Sequence, residues 1–425
     1  MKLKLSLLSF VLIVLTFHTF AQQHHDLIIK DVNILSMKDS NLVLKKSILI
    51  QKGKIVRIDD FKKLHPAKGV QVIAAAGKFL MPGLAEMHSH FPAEGSIDTL
   101  LLENVAAGVT HIRIMNSGTS QVGIRERLKK SPDVISPKLH YSQLIRKDIR
   151  YSVSQFDSLM MDMKKNGISF IKLLSVADEE IFDNLMKAAN KNKITVCGHF
   201  PRAVSLEKVL NSGYKSIEHL AGYDGASDET QLEKMISLTN DKAVYNCPTL
   251  DWDLFSMNLQ YPDDYKKRLT YVGSPKHYRD KWEREYAADI EKTGKDKVIA
   301  RKEAGLAIFA RKQQLLKKLS DKGCLLLVGS DAGNSFQMNG FNMHEEMWNW
   351  SLAGIDNFKI LQSATVTPSM FFNEGDSWGT VEVGKSADLI ILSKNPMTDI
   401  RYIQSVETTI IEGKVYQKEA LLRKL

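Results

Sequence analysis

Met81-Pro-Gly-Leu-Ala-Glu-Met-His-Ser-His-Phe91 is an apolar run that closes on two histidines, His88 and His90. Residues two apart on a β-strand point to the same side, so both imidazoles can reach one ion. A His-x-His pair alone is weak evidence, because a strand histidine is more often a hydrogen-bonded core residue. Its weight comes from later strand-like runs that also end in donor groups. Lys172 lies near the end of Ile168-Ser-Phe-Ile-Lys-Leu-Leu174, and His199 closes Ile194-Thr-Val-Cys-Gly-His199. His219 closes Ser216-Ile-Glu-His219, and Asp331 closes Leu325-Leu-Leu-Val-Gly-Ser-Asp331. Singly, a strand lysine snorkels to the surface and an aspartate after a strand caps the next helix. Six such residues at strand ends are hard to attribute to chance.

Around these runs the text alternates strand, loop and helix. Strand candidates are 84–88, 109–115, 138–144, 169–174, 195–199, 216–219, 243–247 and 325–331, with helical patterns such as Asp178–Lys191 and Ser205–Ser212 between them. Eight strands in this rhythm predict an α/β fold, a (β/α)8 TIM barrel over residues 81–369, with its active site at the C-terminal ends of the strands. The N-terminal part, 22–80, and the tail, 370–425, read as short β-strands that pair into a small β-sandwich beside the barrel. Residues 251–320 form an oversized helical insert before the eighth strand candidate. Within it Tyr278, Trp282 and Tyr286 recur at i, i+4 and i+8, one helix face. That stripe either packs the insert onto the barrel or lines a substrate pocket as part of a lid.

With 425 residues, 44% of them hydrophobic, the chain can bury a barrel-sized core and a smaller module. Lys2 and Lys4, the apolar stretch Leu5–Phe17 and Thr19-Phe-Ala21 read as a signal peptide over residues 1–21. The expected protein is therefore exported to a periplasm or the outside, with no stable membrane anchor after cleavage. Removing that segment takes away two lysines and no acids, so the net charge falls from +9 to +7. Much of the excess lies in the insert, interleaved with acids as on solvated helices. It lacks the single-sign stripe of a nucleic-acid binder, which excludes that class. Cys197, Cys247 and Cys324 are too few and scattered for a disulfide framework and read as buried small hydrophobes.

Together these runs resemble the amidohydrolase superfamily, in particular its imidazolonepropionase-like and prolidase-like hydrolases. The resemblance extends through Gly108-Val-Thr, Ser216-Ile-Glu-His, Met343-His-Glu-Glu-Met, Ala364-Thr-Val-Thr-Pro368 and the stretch from Gly379 to Leu392. It implies two divalent metal ions. His88, His90 and Asp331 would bind one and His199 and His219 the other, with Lys172 bridging as an N-carboxylated lysine. An ordinary lysine is a cation, with a pKa near ~10.4, and would repel two dications. Burial favours the neutral amine, which can add CO2 to become an anionic carbamate. The implied chemistry is hydroxide attack on an amide carbonyl, with Asp331 as the catalytic proton carrier. Four imidazoles with carboxylate-type oxygens suit zinc, and manganese, cobalt or iron could replace it.

The expected substrate is a small molecule with an amide bond, such as a dipeptide or N-acyl amino acid. A lactone or other ester, a single-metal deaminase or imidazolone-ring hydrolase, and a non-catalytic binding protein are the alternatives. Homo-oligomerisation is left open. Tyr223, four residues after His219, is either a contact to the substrate oxyanion or a packing residue. Arg113 reads as a structural ion pair before a carboxylate reader. His344 with Glu345 reads as support, and His111 and His140 as core histidines. The third strand candidate lacks the small and glycine residues common in relatives, so the pocket floor is not specified.

Overall fold

A computed structural model describes residues 27–64, 69–91, 96–117, 121–131, 133–256, 265–333 and 336–425. The expected signal peptide lies outside the described residues, as do residues 257–264 of the insert. No helix among the described residues is long and apolar enough to cross a membrane.

Five N-terminal strands come first: β1 (Leu27–Leu35), β2 (Leu42–Gln51), β3 (Lys54–Asp59), β4 (Gln71–Ala74) and β5 (Phe79–Pro82). The central parallel strands are β6 (Leu84–Phe91), β7 (Val109–Ser117), β8 (Lys138–His140), β9 (Ser142–Ile145), β10 (Phe170–Leu173), β11 (Thr195–Gly198), β12 (Ser216–Glu218) and β13 (Tyr245–Cys247). Three strands close the chain: β14 (Leu389–Leu392), β15 (Val406–Ile411) and β16 (Lys414–Gln417).

Strands β6 to β8 and β9 to β13 form two parallel sheets in chain order. Short β8 and β9 divide the third strand candidate at Tyr141, one half pairing β7 and the other β10. The eighth candidate, 325–331, is not a regular strand. It bridges through Leu326 opposite Asn246 and bonds to both neighbours. Asn246 N donates to Leu325 O, and Leu327 N to Asn246 O (2.9 Å each). On its other side Met87 N donates to Val328 O (3.1 Å) and Asp331 N to His88 O (2.9 Å). The result is a TIM-barrel-like α/β fold.

Helices cover the strands by their apolar faces. Glu179–Asn192 buries Ile181, Phe182, Leu185, Met186, Ala188 and Ala189, and starts where the Asp178 carboxylate accepts from Ile181 N. The N- and C-terminal strands join in one eight-stranded sheet in the order β16-β15-β14-β5-β1-β2-β3, with β4 also on β1. The two terminal segments, expected to pair, thus share one sheet. It encloses its own core of Leu27, Ile29, Ile48, Ile50, Leu389 and Ile391.

The insert consists mainly of helices Lys276–Thr293 and Lys295–Asp321. Its aromatic stripe packs. Trp282 is 2% exposed, its ring 5.6 Å from Phe336 and 5.8 Å from Tyr278. Tyr278 Oη donates to the Glu103 carboxylate of the first barrel helix. The three cysteines are free and buried, as expected.

Candidate metal centre

The ends of β6, β10, β11 and β12 and the 325–331 segment converge on one point. Two backbone features allow the approach. Gly198 has φ +134°, and a Cβ there would lie 2.3 Å from Leu173 O, so only glycine lets His199 leave β11 beside β10. A Cβ on Gly329 would meet Cys247 Sγ at 2.6 Å and His88 Cβ at 2.8 Å, so glycine keeps Asp331 close to β6. His219 (φ 64°) and Asp331 (φ 51°) sit in the left-handed region. Such strain costs on the order of 1–3 kcal/mol per residue and clusters at functional sites.

All six expected residues, His88, His90, Lys172, His199, His219 and Asp331, lie at this mouth. Asp331 Oδ1 is 2.9 Å from His90 Nε2 and 3.8 Å from His88 Nε2, and its Oδ2 is 3.9 Å from His219 Nε2. His88, His90 and Asp331 place three donor atoms within 4.8 Å of one another. His199 Nε2 and His219 Nε2 stand 3.2 Å apart, with ring centroids at 5.0 Å. These two nitrogens are close enough to serve one ion together.

Two buried atoms among them lack any hydrogen-bond partner: His88 Nε2 and Lys172 Nζ. Both residues are 1% exposed. A buried polar atom without a partner costs about 1–3 kcal/mol, so two at one focus fit residues built to hold metal. Burial pushes the His199 imidazole down to about 4 and holds His88 and His219 well below their ordinary value. Burial also lowers the Lys172 amine, against the pull of Glu218 and Asp331. These three imidazoles are therefore neutral; His88 Nε2 has its lone pair free, while His199 and His219 share a proton between their Nε2 atoms.

Behind these residues stands a polar layer that the strand-end reading missed. His88 Nδ1 bonds Glu218 Oε2 at 2.9 Å, and Glu218 accepts from both Arg113 Nη2 (2.8 and 2.9 Å) and Ser216 Oγ (2.6 Å). Glu218 and Arg113 are fully buried, so Arg113 is the expected structural ion pair. Glu86 accepts from His88 N, Ser330 N and Ser330 Oγ, which ties β6 to the 325–331 segment. Burial raises its carboxyl to about 7. His219 Nδ1 bonds Thr249 Oγ1 at 2.6 Å. A signal existed: Glu86 and Glu218 are carboxylates inside apolar strand runs, which demand partners. His344, as expected, is supporting, its Nε2 bonded to Ala107 O at 2.9 Å.

Beside His199 and His219 opens a cavity of about 890 Å³, walled by Phe200, Tyr223, Leu232 and Trp252 among others. Tyr223 lines it with its ring, while its Oη bonds Thr239 Oγ1 (2.9 Å) and Asn246 Oδ1 (3.3 Å). The insert reaches the cavity through Trp252 and the helix Lys295–Asp321, not through the aromatic stripe.

His111 and His140 lie elsewhere, at the opposite end of the barrel strands. With Glu374 they bring three donor atoms within 4.8 Å, but their rings are hydrogen-bonded in a chain. His111 Nε2 meets Asp388 Oδ2, and His111 Nδ1 meets His140 Nε2, each at 3.4 Å. They are core histidines, as expected.

Comparison with known proteins bears on the fold and the family. No curated protein matches the chain in sequence. A bottromycin amidohydrolase is similar in structure, with a TM-score of 0.71 at 19% identity, covering 93% of this chain and 88% of that one. A Xaa-Pro dipeptidase with methionine bound in its active site gives 0.68 at 18% identity, covering 92% and 100%. An ochratoxinase from A. niger gives 0.66 at 14% identity, covering 92% and 96%. The model of the amidohydrolase family matches residues 79–416. The chain therefore belongs to the amidohydrolase family, as a hydrolase of carbon–nitrogen bonds.

Proposed function

We propose that the chain is an exported, dinuclear metal-dependent amidohydrolase that cleaves an amide bond of a small molecule, a dipeptide or N-acyl amino acid. The observation that carries the reading is the pair of partnerless buried atoms, His88 Nε2 and Lys172 Nζ, at the focus of four histidines and Asp331. His88, His90 and Asp331 would hold one divalent ion and His199 and His219 the other, with zinc the expected metal. Lys172, carboxylated on its neutral amine, would contribute an oxygen to each. Bound there, the ions supply Lewis-acid polarisation of a carbonyl and water acidified to a pKa of about 7.

The chain's own residues do the rest. Asp331 reaches toward both halves of the site, so its carboxylate takes the proton of the attacking water and delivers it to the leaving amine. Glu218 fixes His88 with Nε2 facing the centre, and Thr249 does the same for His219. Tyr223 offers its ring, not its bonded hydroxyl, as a wall for the substrate. On this reading residues 81–369 are one (β/α)8 barrel, supported by the bonds across 325–331, with 22–80 and 370–425 as the sandwich module.

Metal analysis should give close to two ions per chain; a reproducible value near zero after reconstitution would sink the proposal. A panel of dipeptides, N-acyl amino acids and lactones, offered to the zinc- and manganese-loaded protein, should show amide cleavage. Turnover of lactones alone would move the reading to an esterase.

A further inference from the structure

The long insert helix turns Ile308, Arg311, Lys312 and Leu315 into the cavity wall. These positions are i, i+3, i+4 and i+7, one face of the helix. The cavity, about 890 Å³, lies in the range that buries drug-sized ligands, more room than a minimal dipeptide needs. Its wall is mostly apolar, with Phe200, Leu232 and Trp252 facing the helix. Three cations border it, and two have a carboxylate within ion-pair distance. Lys312 Nζ contacts both oxygens of Asp253 at 2.7 Å, and Arg202 lies 3.7 Å from Asp224. Among the described residues, Arg311 has no ion-pair partner.

We propose that this helix is the specificity element of the site. Its substrate is an amide carrying a bulky apolar acyl group, held along Ile308, Leu315 and Trp252, together with a carboxylate that pairs with Arg311. An arginine's planar fork matches a carboxylate in two parallel bonds, and the apolar wall favours each methylene it takes from water. The inference rests on the hydrolase reading and narrows it to bulky N-acyl amino acids.

The test compares N-decanoyl-alanine, N-acetyl-alanine and N-decanoyl-alaninamide on the metal-loaded enzyme. The decanoyl acid should exceed the acetyl acid in kcat/KM by at least tenfold. Arg311→Gln should raise KM for the decanoyl acid at least tenfold, with little of the loss in kcat, and leave KM for the alaninamide within twofold. Ile308→Trp should penalise the decanoyl acid and spare the acetyl one. Preference for the acetyl compound, or an equal effect of Arg311→Gln on acid and amide, overturns the proposal. Calorimetry with non-hydrolysable N-decylsulfonyl-alanine separates the two readings. If no amide is cleaved but this ligand binds and Arg311→Gln weakens it tenfold, the hydrolase reading fails and the cavity assignment stands. If it does not bind, or binds both proteins alike, the assignment fails whatever the turnover.

Discussion

Two pairs of histidines sit at opposite ends of the parallel strands, and residue type does not tell them apart. At the mouth, His199 and His219 have ring centroids 5.0 Å apart and nitrogens 3.2 Å apart. This pair is itself hydrogen-bonded, Nε2 to Nε2, but its nitrogens lie off the line between the ring centres, so both can turn toward a third point once a cation replaces the shared proton. At the base, His111 and His140 have centroids 5.7 Å apart and nitrogens 3.4 Å apart. Those nitrogens meet head-on, closer than the ~4 Å that an ion between them would need. Asp388, kept anionic beside Lys138, accepts from His111 Nε2, so His111 Nδ1 must accept from His140 Nε2. Stacking of His111 on Trp378 and of His140 on Phe372 fixes both rings. Burial lowers the pKa at both ends. What separates a ligand pair from a core pair is where the lone pairs point.

The largest expected effect tests the mouth. Lys172→Ala should lose bound metal and bring turnover to background, read by metal analysis beside activity; retention of both would favour a single-metal chemistry. Asp331→Asn should keep much of the metal while turnover falls about 10²–10⁴-fold, which steady-state kinetics measures. Glu218→Gln should weaken metal binding by about 10–100-fold in a chelator competition and lower the melting temperature, because Arg113 loses its buried anion.

The smallest effect tests the base. His140→Phe should leave metal content unchanged and cost about 1–3 kcal/mol at pH 8, measured by urea denaturation. Its pH dependence has a fixed sign. The unfolded chain protonates these histidines below about pH 6.5, whereas burial keeps them neutral in the fold. The pair's contribution is therefore complete above that pH and is lost as pH falls, so variant and wild type should draw together at pH 5. A drop in metal content on His140→Phe would break the comparison.

The candidate ligands of the mouth were legible because each lies at or near the end of an apolar run, even where, as at 325–331, that run does not become a regular strand. The base was legible in outcome only: His111 and His140 read as core, but nothing in their spacing announced Asp388 as the end of their chain. Periodicity gave the face of the Tyr278-Trp282-Tyr286 stripe without saying what it meets, and it meets Phe336 and Glu103. The face that reaches the cavity is on the next helix, where Ile308, Arg311 and Leu315 stand among many exposed charges that mask them. Glu218 and Arg113 are far apart in sequence, and only the closing of the strands makes them partners.

The terminal sheet carries a consequence for how the molecule comes into being. Met81 finds its partner in Ile390, and Leu80 in Ile391, so β5 keeps an open edge until nearly the whole chain has been synthesised. Pairings between such distant segments are slow to form and leave edges exposed meanwhile. A trim that removes β14 should therefore do more harm to recovery of soluble protein than one that removes any single ligand of the mouth.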